Sequence, residues 1–403
     1  MRLCVVLPHA LGRVGVIMAL CVFRDLLHNP PQMNFLCIVA AVLAADTLSA
    51  QTTTPASTEP FLLPSLVLGE PDVPPAIFSN AVGLTLFWDN DGAFTKPIGS
   101  TDRWYTSGSG AAIQWRGPGT TEMLSWLPSF GGEFDVDRPG VSYAAGVVLS
   151  LNIYTPKEID DPNIRPDDRP YAGWTYGGFI AQRANRAAAT PTFEHMEIDA
   201  GLIGPSSHAG NIQRSVHRTF GEAIPQGWQY QVRDEAGVDF KYQRRWRYDV
   251  LAESPITGAA MQVIPDAGLT LGTLHTNASG GATLRYGWNT PDDFGPGNMR
   301  YAGDFTSTAV EQKFSGAAAY FFVRPGVRVV AHDATLGNSL FRDDNPVAVN
   351  PSPLGGEVSG GLAMIFFGHY KLSYAHTVMS PEFDGQNQWQ SFASLTLTAA
   401  YAW

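Results

Sequence analysis

An Asn-Asp pair and a hydroxyl-rich segment ten residues beyond it carry the first sign of chemistry in this chain. Asn90-Asp91 follows the alternating run Leu84-Thr85-Leu86-Phe87-Trp88, and Thr101-Asp102-Arg103-Trp104-Tyr105-Thr106-Ser107-Gly108 follows after the intervening loop. The two segments read as the facing ends of a hairpin, where side chains of period two can bring carboxylate, amide and hydroxyl groups to one side of a sheet rim. Oxygen donors grouped in that way suit a hard cation or a polarised water. A loop whose Asx and Ser/Thr groups only cap its own backbone has the same composition, and spacing does not separate the two.

A second grouping lies far along the chain. Ser206 to Ala223 reads as a short helix with Ser206 or Ser207 as N-cap, a periodic run of Ile212, Val216 and Phe220, and an end at Pro225-Gln226-Gly227. Gln213 and His217 are four apart and therefore share a face of it. An imidazole beside an amide can deprotonate water; an exposed polar histidine is the plain alternative. No Gly-x-Ser-x-Gly elbow occurs, and Ser107 or Ser109 stands as the candidate if a serine is the nucleophile.

The elements that must position these groups are strands. Along Gly237 to Val250, Val238, Phe240, Tyr242, Trp246, Tyr248 and Val250 share a face with Arg244, while Asp239, Lys241, Gln243, Arg245, Arg247 and Asp249 share the other. Met196, Ile198, Ala200 and Leu202 alternate in the same way with His195, Glu197 and Asp199. The last strand sets Ala393, Leu395, Leu397, Ala399, Tyr401 and Trp403 against a smaller, more polar face, and ends on an aromatic residue. A barrel wall gives both faces a home, with lipid and aromatic girdles outside and paired charges inside. Candidate strands near 84–90, 103–115, 141–153, 172–183, 193–202, 238–252, 259–274, 280–288, 317–331, 357–366, 369–378 and 390–403 make twelve. An even number closes an antiparallel barrel and removes the edges that lipid does not tolerate. The expected fold is therefore all-β, a transmembrane antiparallel barrel of about twelve strands with a short helix in an extracellular loop.

The ends and the charge complete the organisation. Phe35 to Ala45 has the length of a secretory h-region and Leu48-Ser49-Ala50 resembles a signal-peptidase site, so residues 1–50 read as a leader, with Met33 as a possible true start. Residues 51–76 are rich in Thr, Ser and Pro, and 77–403 form one domain. Cys4, Cys21 and Cys37 all lie in the leader, which leaves the remainder without a thiol or disulfide. Removing the leader's three Arg and two Asp leaves 23 basic and 35 acidic residues, a formal charge of −12. That acidity argues against nucleic acid as a partner.

Taken together the chain resembles the outer-membrane lipid A 3′-O-deacylase family. The resemblance rests on Asn90-Asp91 with Thr101 to Gly108, on Asp168-Arg169-Pro170-Tyr171-Ala172-Gly173-Trp174 and on Gly204-Pro205-Ser206. It continues through Gln213 with His217, Gly227-Trp228 with Gln231 and Glu235, and the tail segments Glu382-Phe383 and Ser391 to Leu395. It implies a twelve-stranded barrel in the outer membrane of a Gram-negative bacterium that uses calcium to hydrolyse the 3′ ester of lipid A in lipopolysaccharide, releasing an acyloxyacyl group. Carried over, His217 is the general base, Asn90 and Asp91 belong to the catalytic and metal-binding cluster, and Thr106 and Gln213 complete the polar site. The family's glutamate after the histidine has one counterpart here, Glu222, at an offset one residue short of the pattern. Two other readings stay open from the residues: an outer-membrane phospholipase, which shares location and ester chemistry, and a non-catalytic barrel or channel.

Overall fold

In a computed structural model of the chain, residues 81–92, 103–129, 132–254, 258–296, 317–368 and 370–402 are described. The expected leader and the Thr/Pro-rich segment lie outside them, as do Thr101 and Asp102. Among the described residues the chain forms thirteen strands: β1 (Ala81–Asn90), β2 (Trp104–Arg116), β3 (Val141–Thr155), β4 (Ala172–Asn185), β5 (Thr192–Ile203), β6 (Glu235–Trp246), β7 (Tyr248–Leu251), β8 (Ala259–Gly272), β9 (His275–Trp288), β10 (Ala318–Asp333), β11 (Leu354–Phe366), β12 (Tyr370–Met379) and β13 (Gln390–Ala402). Two α-helices accompany them, α1 (Pro118–Leu124) and α2 (Ala209–Phe220). Every neighbouring pair is antiparallel, β1 pairs with both β2 and β13, and β6 pairs with β5 and β8. The sheet is thus closed through β6 and β8, and the short β7, paired with β8 alone, extends it past the end of β6.

The barrel has twelve staves, because β6 and β7 are two halves of one. The expected strand 238–252 is broken at Arg247, whose N–H turns to the Pro191 carbonyl at 2.9 Å. Across the break, on β8, stands Pro265, between Val263 paired with Tyr248 and Asp266 paired with Arg245. Proline has no N–H to give to the ladder, so the pairing lapses where it faces the partner strand.

The two faces of the strands part as their alternation requires. Ile198 and its cross-strand partner Phe240 are 54% and 39% exposed on the outer wall, whereas Glu197, the neighbour of Ile198 on β5 and partner of Lys241, is 1% exposed in the interior. The interior charges are paired: Lys241 Nζ lies 3.0 Å from Glu197 and 2.6 Å from Asp199, and Arg324 bridges Asp266 at 2.7 Å and Glu357 at 2.6 Å. Near the end where β1 begins, Asp293 of the segment between β9 and β10 enters the interior to meet Arg285 and Lys371. Burial opposes its ionisation, and the Lys371 ammonium with the Arg285 guanidinium overcomes this and holds the carboxyl down to about 2. At the extracellular end, Arg169 reaches Glu382 and Thr335 and covers the Tyr154 ring, which ties three loops across the rim.

Candidate active site

Asn90, Asp91 and Thr106 come together at the extracellular end of β1 and β2. The Asp91 N–H donates to the Thr106 carbonyl at 3.2 Å, and the Asn90 amide reaches the same oxygen at 3.5 Å. Asn90 Oδ1 accepts from Gly92 N–H at 2.8 Å, and Asp91 Oδ2 from Arg103 N–H at 2.5 Å. Each side chain thus spends an oxygen on backbone, as the capping reading of this loop requires, and Asn90 and Asp91 also converge with Thr106. Beside Asp91, the Arg103 guanidinium covers the Trp104 ring at 4.4 Å. Its pKa is lowered, because burial outweighs the opposing pull of the Asp91 and Asp168 carboxylates.

A bulge sets the direction of Thr106. The register between β2 and β3 slips between Tyr105 and Ser107, and Trp104 just before it has φ of 65°, an uncommon value for an aromatic residue. Tyr105 points inward, giving its hydroxyl to Asp89 at 2.8 Å. Thr106 instead meets the Thr155 hydroxyl at 2.7 Å. Thr155 is on the same side of β3 as Val147, which is 46% exposed, so this cluster sits on the outer face of the wall. Ser107 Oγ donates to the Asp89 carbonyl at 3.0 Å, a partner that cannot activate it as a nucleophile.

Helix α2 packs on that same outer face. Gly173 of β4 has no Cβ, and one built there would occupy the space of the Ala209 side chain and the Ser207 hydroxyl; only glycine admits the helix so close. Thr175 Oγ1 donates to the Ser207 carbonyl at 2.8 Å, and Ile153 of β3 packs with Ala209, Tyr171 and Trp228. The helix is shorter than Ser206 to Ala223. Pro205–Ser207 forms a 3₁₀ turn, and neither Ser206 nor Ser207 is the N-cap; His208 takes that place in a left-handed conformation with no side-chain cap. Ser207 is drawn away because its hydroxyl donates to the Gly204 carbonyl at 2.6 Å. Gly221, left-handed at φ 72°, ends the helix four residues before the Pro225 turn.

Gln213 and His217 are both buried on the barrel-facing side. His217 Nδ1 lies 2.6 Å from the Ala223 carbonyl. A carbonyl only accepts, so Nδ1 carries the proton and the lone pair of the neutral ring is on Nε2. Gln213 is fixed by similar logic. The Trp228 indole N–H donates to Gln213 Oε1 at 2.9 Å, and Gln213 Nε2 is buried without a hydrogen-bond partner. An indole offers no acceptor, so the amide must turn its oxygen to Trp228 and its NH₂ away. Thr155 links the halves of the site: it holds Thr106 and terminates β3, one of the two strands that carry α2. Glu222 follows the helix end, exposed, with its N–H donated to the His217 carbonyl at 2.9 Å.

A family model described as outer membrane protein LpxR matches residues 36–401. The chain belongs to the LpxR family of outer-membrane proteins. Among solved structures it is similar to LpxR from Salmonella typhimurium, with a TM-score of 0.59 at 18% identity over 79% of this chain and 99% of that one, which shows a shared barrel fold. The β domain of the Bordetella autotransporter BrkA aligns at a TM-score of 0.38 and 10% identity, over 81% of this chain and 100% of that one. No curated protein sequence matches. Family membership and the closed barrel place the chain in the Gram-negative outer membrane.

For this LpxR-family chain the structure adds residues to which the sequence pattern gave no role. Thr155 orients Thr106 from a distance in sequence that no periodic pattern spans, and the Ala223 carbonyl orients His217 from beyond the point where Gly221 ends the helix. Trp228 was visible as part of Gly227-Trp228, but its grip on Gln213 was not. Asp168 to Trp174 proves to be architecture: Asp168 accepts from the Trp104 indole at 3.1 Å and from Lys157 N–H at 2.8 Å.

Proposed function

We propose that this protein hydrolyses the 3′-O-linked acyl or acyloxyacyl ester of lipid A, with His217 as general base. What carries this reading is the fixed tautomer of His217: a ring whose Nδ1–H is engaged by a backbone carbonyl presents Nε2 to take a proton from water. The ring lies on a helix held against the lipid-facing wall, where the ester of a membrane lipid can be reached without drawing it into the interior. Gln213 Nε2, buried and with its oxygen committed to Trp228, is a donor for the oxyanion that forms when water adds to the ester carbonyl. Thr106, held by Thr155, supplies a hydroxyl at the barrel side.

Calcium is the cation this reading calls for. Among the described residues no three His, Cys, Asp or Glu side chains lie close enough to hold a metal by themselves, so a cation would draw on mixed oxygens. The donor set fits that demand, since Asp91 adds a carboxylate to the amide of Asn90 and the neighbouring carbonyls, and Ca²⁺ accepts all of these types; Glu222, exposed beyond the helix end, is not brought to them. When bound it would supply electrostatic stabilisation of negative charge on the reacting oxygen.

A glycerophospholipid ester would meet the same groups, and the two substrates separate by experiment. Purified barrel incubated with lipid A and with phospholipid, and followed by mass spectrometry, should release acyl species from lipid A. Release from phospholipid alone would make the protein a phospholipase. A passive channel fits poorly with the near-complete burial and pairing of interior charges such as Glu197, Asp199 and Lys241.

A further inference from the structure

The apolar face of α2 does not pack against the barrel. Ile212, Val216 and Phe220 are 44%, 42% and 69% exposed, while the polar residues Gln213 and His217 are buried. With 3.6 residues per turn, the helix surface divides into three bands. The apolar stripe borders one side of the Gln213/His217 band, and Arg214 with Arg218 borders the other. Arg218 is exposed, and Arg214 is half-buried with Asn211 as its hydrogen-bond partner at 2.9 Å.

The register of the wall gives this arrangement a level. Thr175, which holds the start of the helix through the Ser207 carbonyl, pairs with Leu202, and Leu202 is 43% exposed on the outer wall beside Ile198. The helix therefore lies against the upper edge of the lipid-facing band, and its exposed apolar stripe continues that band. We propose that α2 is an interfacial helix seated in the outer leaflet, with Ile212, Val216 and Phe220 in the acyl layer and Arg214 and Arg218 in an anionic headgroup layer. Apolar and cationic flanks on one helix are what such a boundary selects. Between them, Gln213 and His217 are held at the depth where a lipid's ester bonds lie, and this last step rests on the hydrolase reading above.

Site-directed spin labelling tests the seating without any need for activity. In the full chain with Cys4, Cys21 and Cys37 replaced by Ser, nitroxides are placed at Phe220→Cys or Arg218→Cys and the protein is reconstituted in phosphatidylcholine vesicles containing phosphatidylglycerol. The label at position 220 should be relaxed by oxygen and protected from an aqueous nickel chelate, with the reverse at position 218. Equal nickel access at both positions would overturn the proposal, and so would protection of position 220 from both reagents, since that means a protein cover. The depth claim has its own test in Phe220→Asp. Hydrolysis of vesicle-embedded lipid A should fall by about tenfold or more, the scale of losing one phenyl group from an apolar phase, with detergent-dispersed substrate cleaved as by the parent. An equal loss in both settings would overturn the claim about depth. Absence of hydrolysis in the parent would sink the hydrolase reading alone and leave the labelling result to stand.

Discussion

Trp228→Phe should slow hydrolysis with little change in KM, and should do so only while Gln213 is present. The substitution keeps an aromatic ring against Tyr171, whose centroid is 4.9 Å away, and removes the N–H that holds Gln213 Oε1 at 2.9 Å. A hydrogen bond of this kind is worth about 0.5–1.5 kcal/mol net, which corresponds to a bias of roughly 2- to 13-fold between the amide's two orientations. Without that bias the two orientations are about equally populated and the NH₂ faces the cleft about half the time, so kcat should drop by up to about twofold. Gln213→Ala removes the donor outright and should cost about 10²-fold or more, as loss of an oxyanion donor does. The decisive measurement is the double-mutant cycle, with released acyl chains quantified by mass spectrometry and folding checked by the heat-dependent shift in gel mobility of a barrel. In the Gln213→Ala background, adding Trp228→Phe should leave the rate unchanged, because the two residues act as one unit. If it costs as much there as in the parent, Trp228 serves packing alone and the amide-orientation reasoning is refuted.

His217→Ala should leave heat-modifiability intact and reduce ester hydrolysis by about 10²–10⁴; His217→Asn should not restore it, and a folded, fully active His217→Ala barrel would return the chemistry to a serine. Asp91→Ala should abolish activity together with its response to calcium, and parent activity that survives a chelator would remove the metal from the reaction. Asp293→Asn leaves Lys371 and Arg285 without their shared carboxylate and should cost about 3–5 kcal/mol of stability, read as a lower midpoint for the heat-induced mobility shift. Since that carboxyl is held down to about 2 in the folded barrel, its contribution is complete above the ordinary carboxylate value near 3.9. It is lost as pH falls through the folded value, so parent and variant should converge in strong acid and differ at neutral pH.

The wall was legible because each stave states its two environments residue by residue, as Val238 and Phe240 do against Asp239 and Lys241. So was the shared face of Gln213 and His217, a matter of spacing alone. What could not be seen arises between elements. The break at Arg247 is imposed by Pro265 on another strand, and the helix N-cap moved to His208 because Ser207 found the Gly204 carbonyl. The surroundings of the apolar stripe could not be read for a related reason. Periodicity reports that Ile212, Val216 and Phe220 share a side, but whether that side meets protein or lipid depends on which strands the helix lies against.

The seam between the first and last strands places the site under a timing rule. Asn90 is paired with Ala393, Tyr105 N–H donates to Gln390 Oε1 at 3.2 Å, and the Tyr105 ring meets Phe392 at 4.9 Å. Residues of β1 and β2 are thus aligned by residues of β13. A partly inserted chain has its histidine and its glutamine, but Asn90 lacks its β13 neighbour Ala393 and Tyr105 lacks Gln390. On the proposed hydrolase reading, the site is complete only once this seam has zipped, in the membrane where the barrel closes.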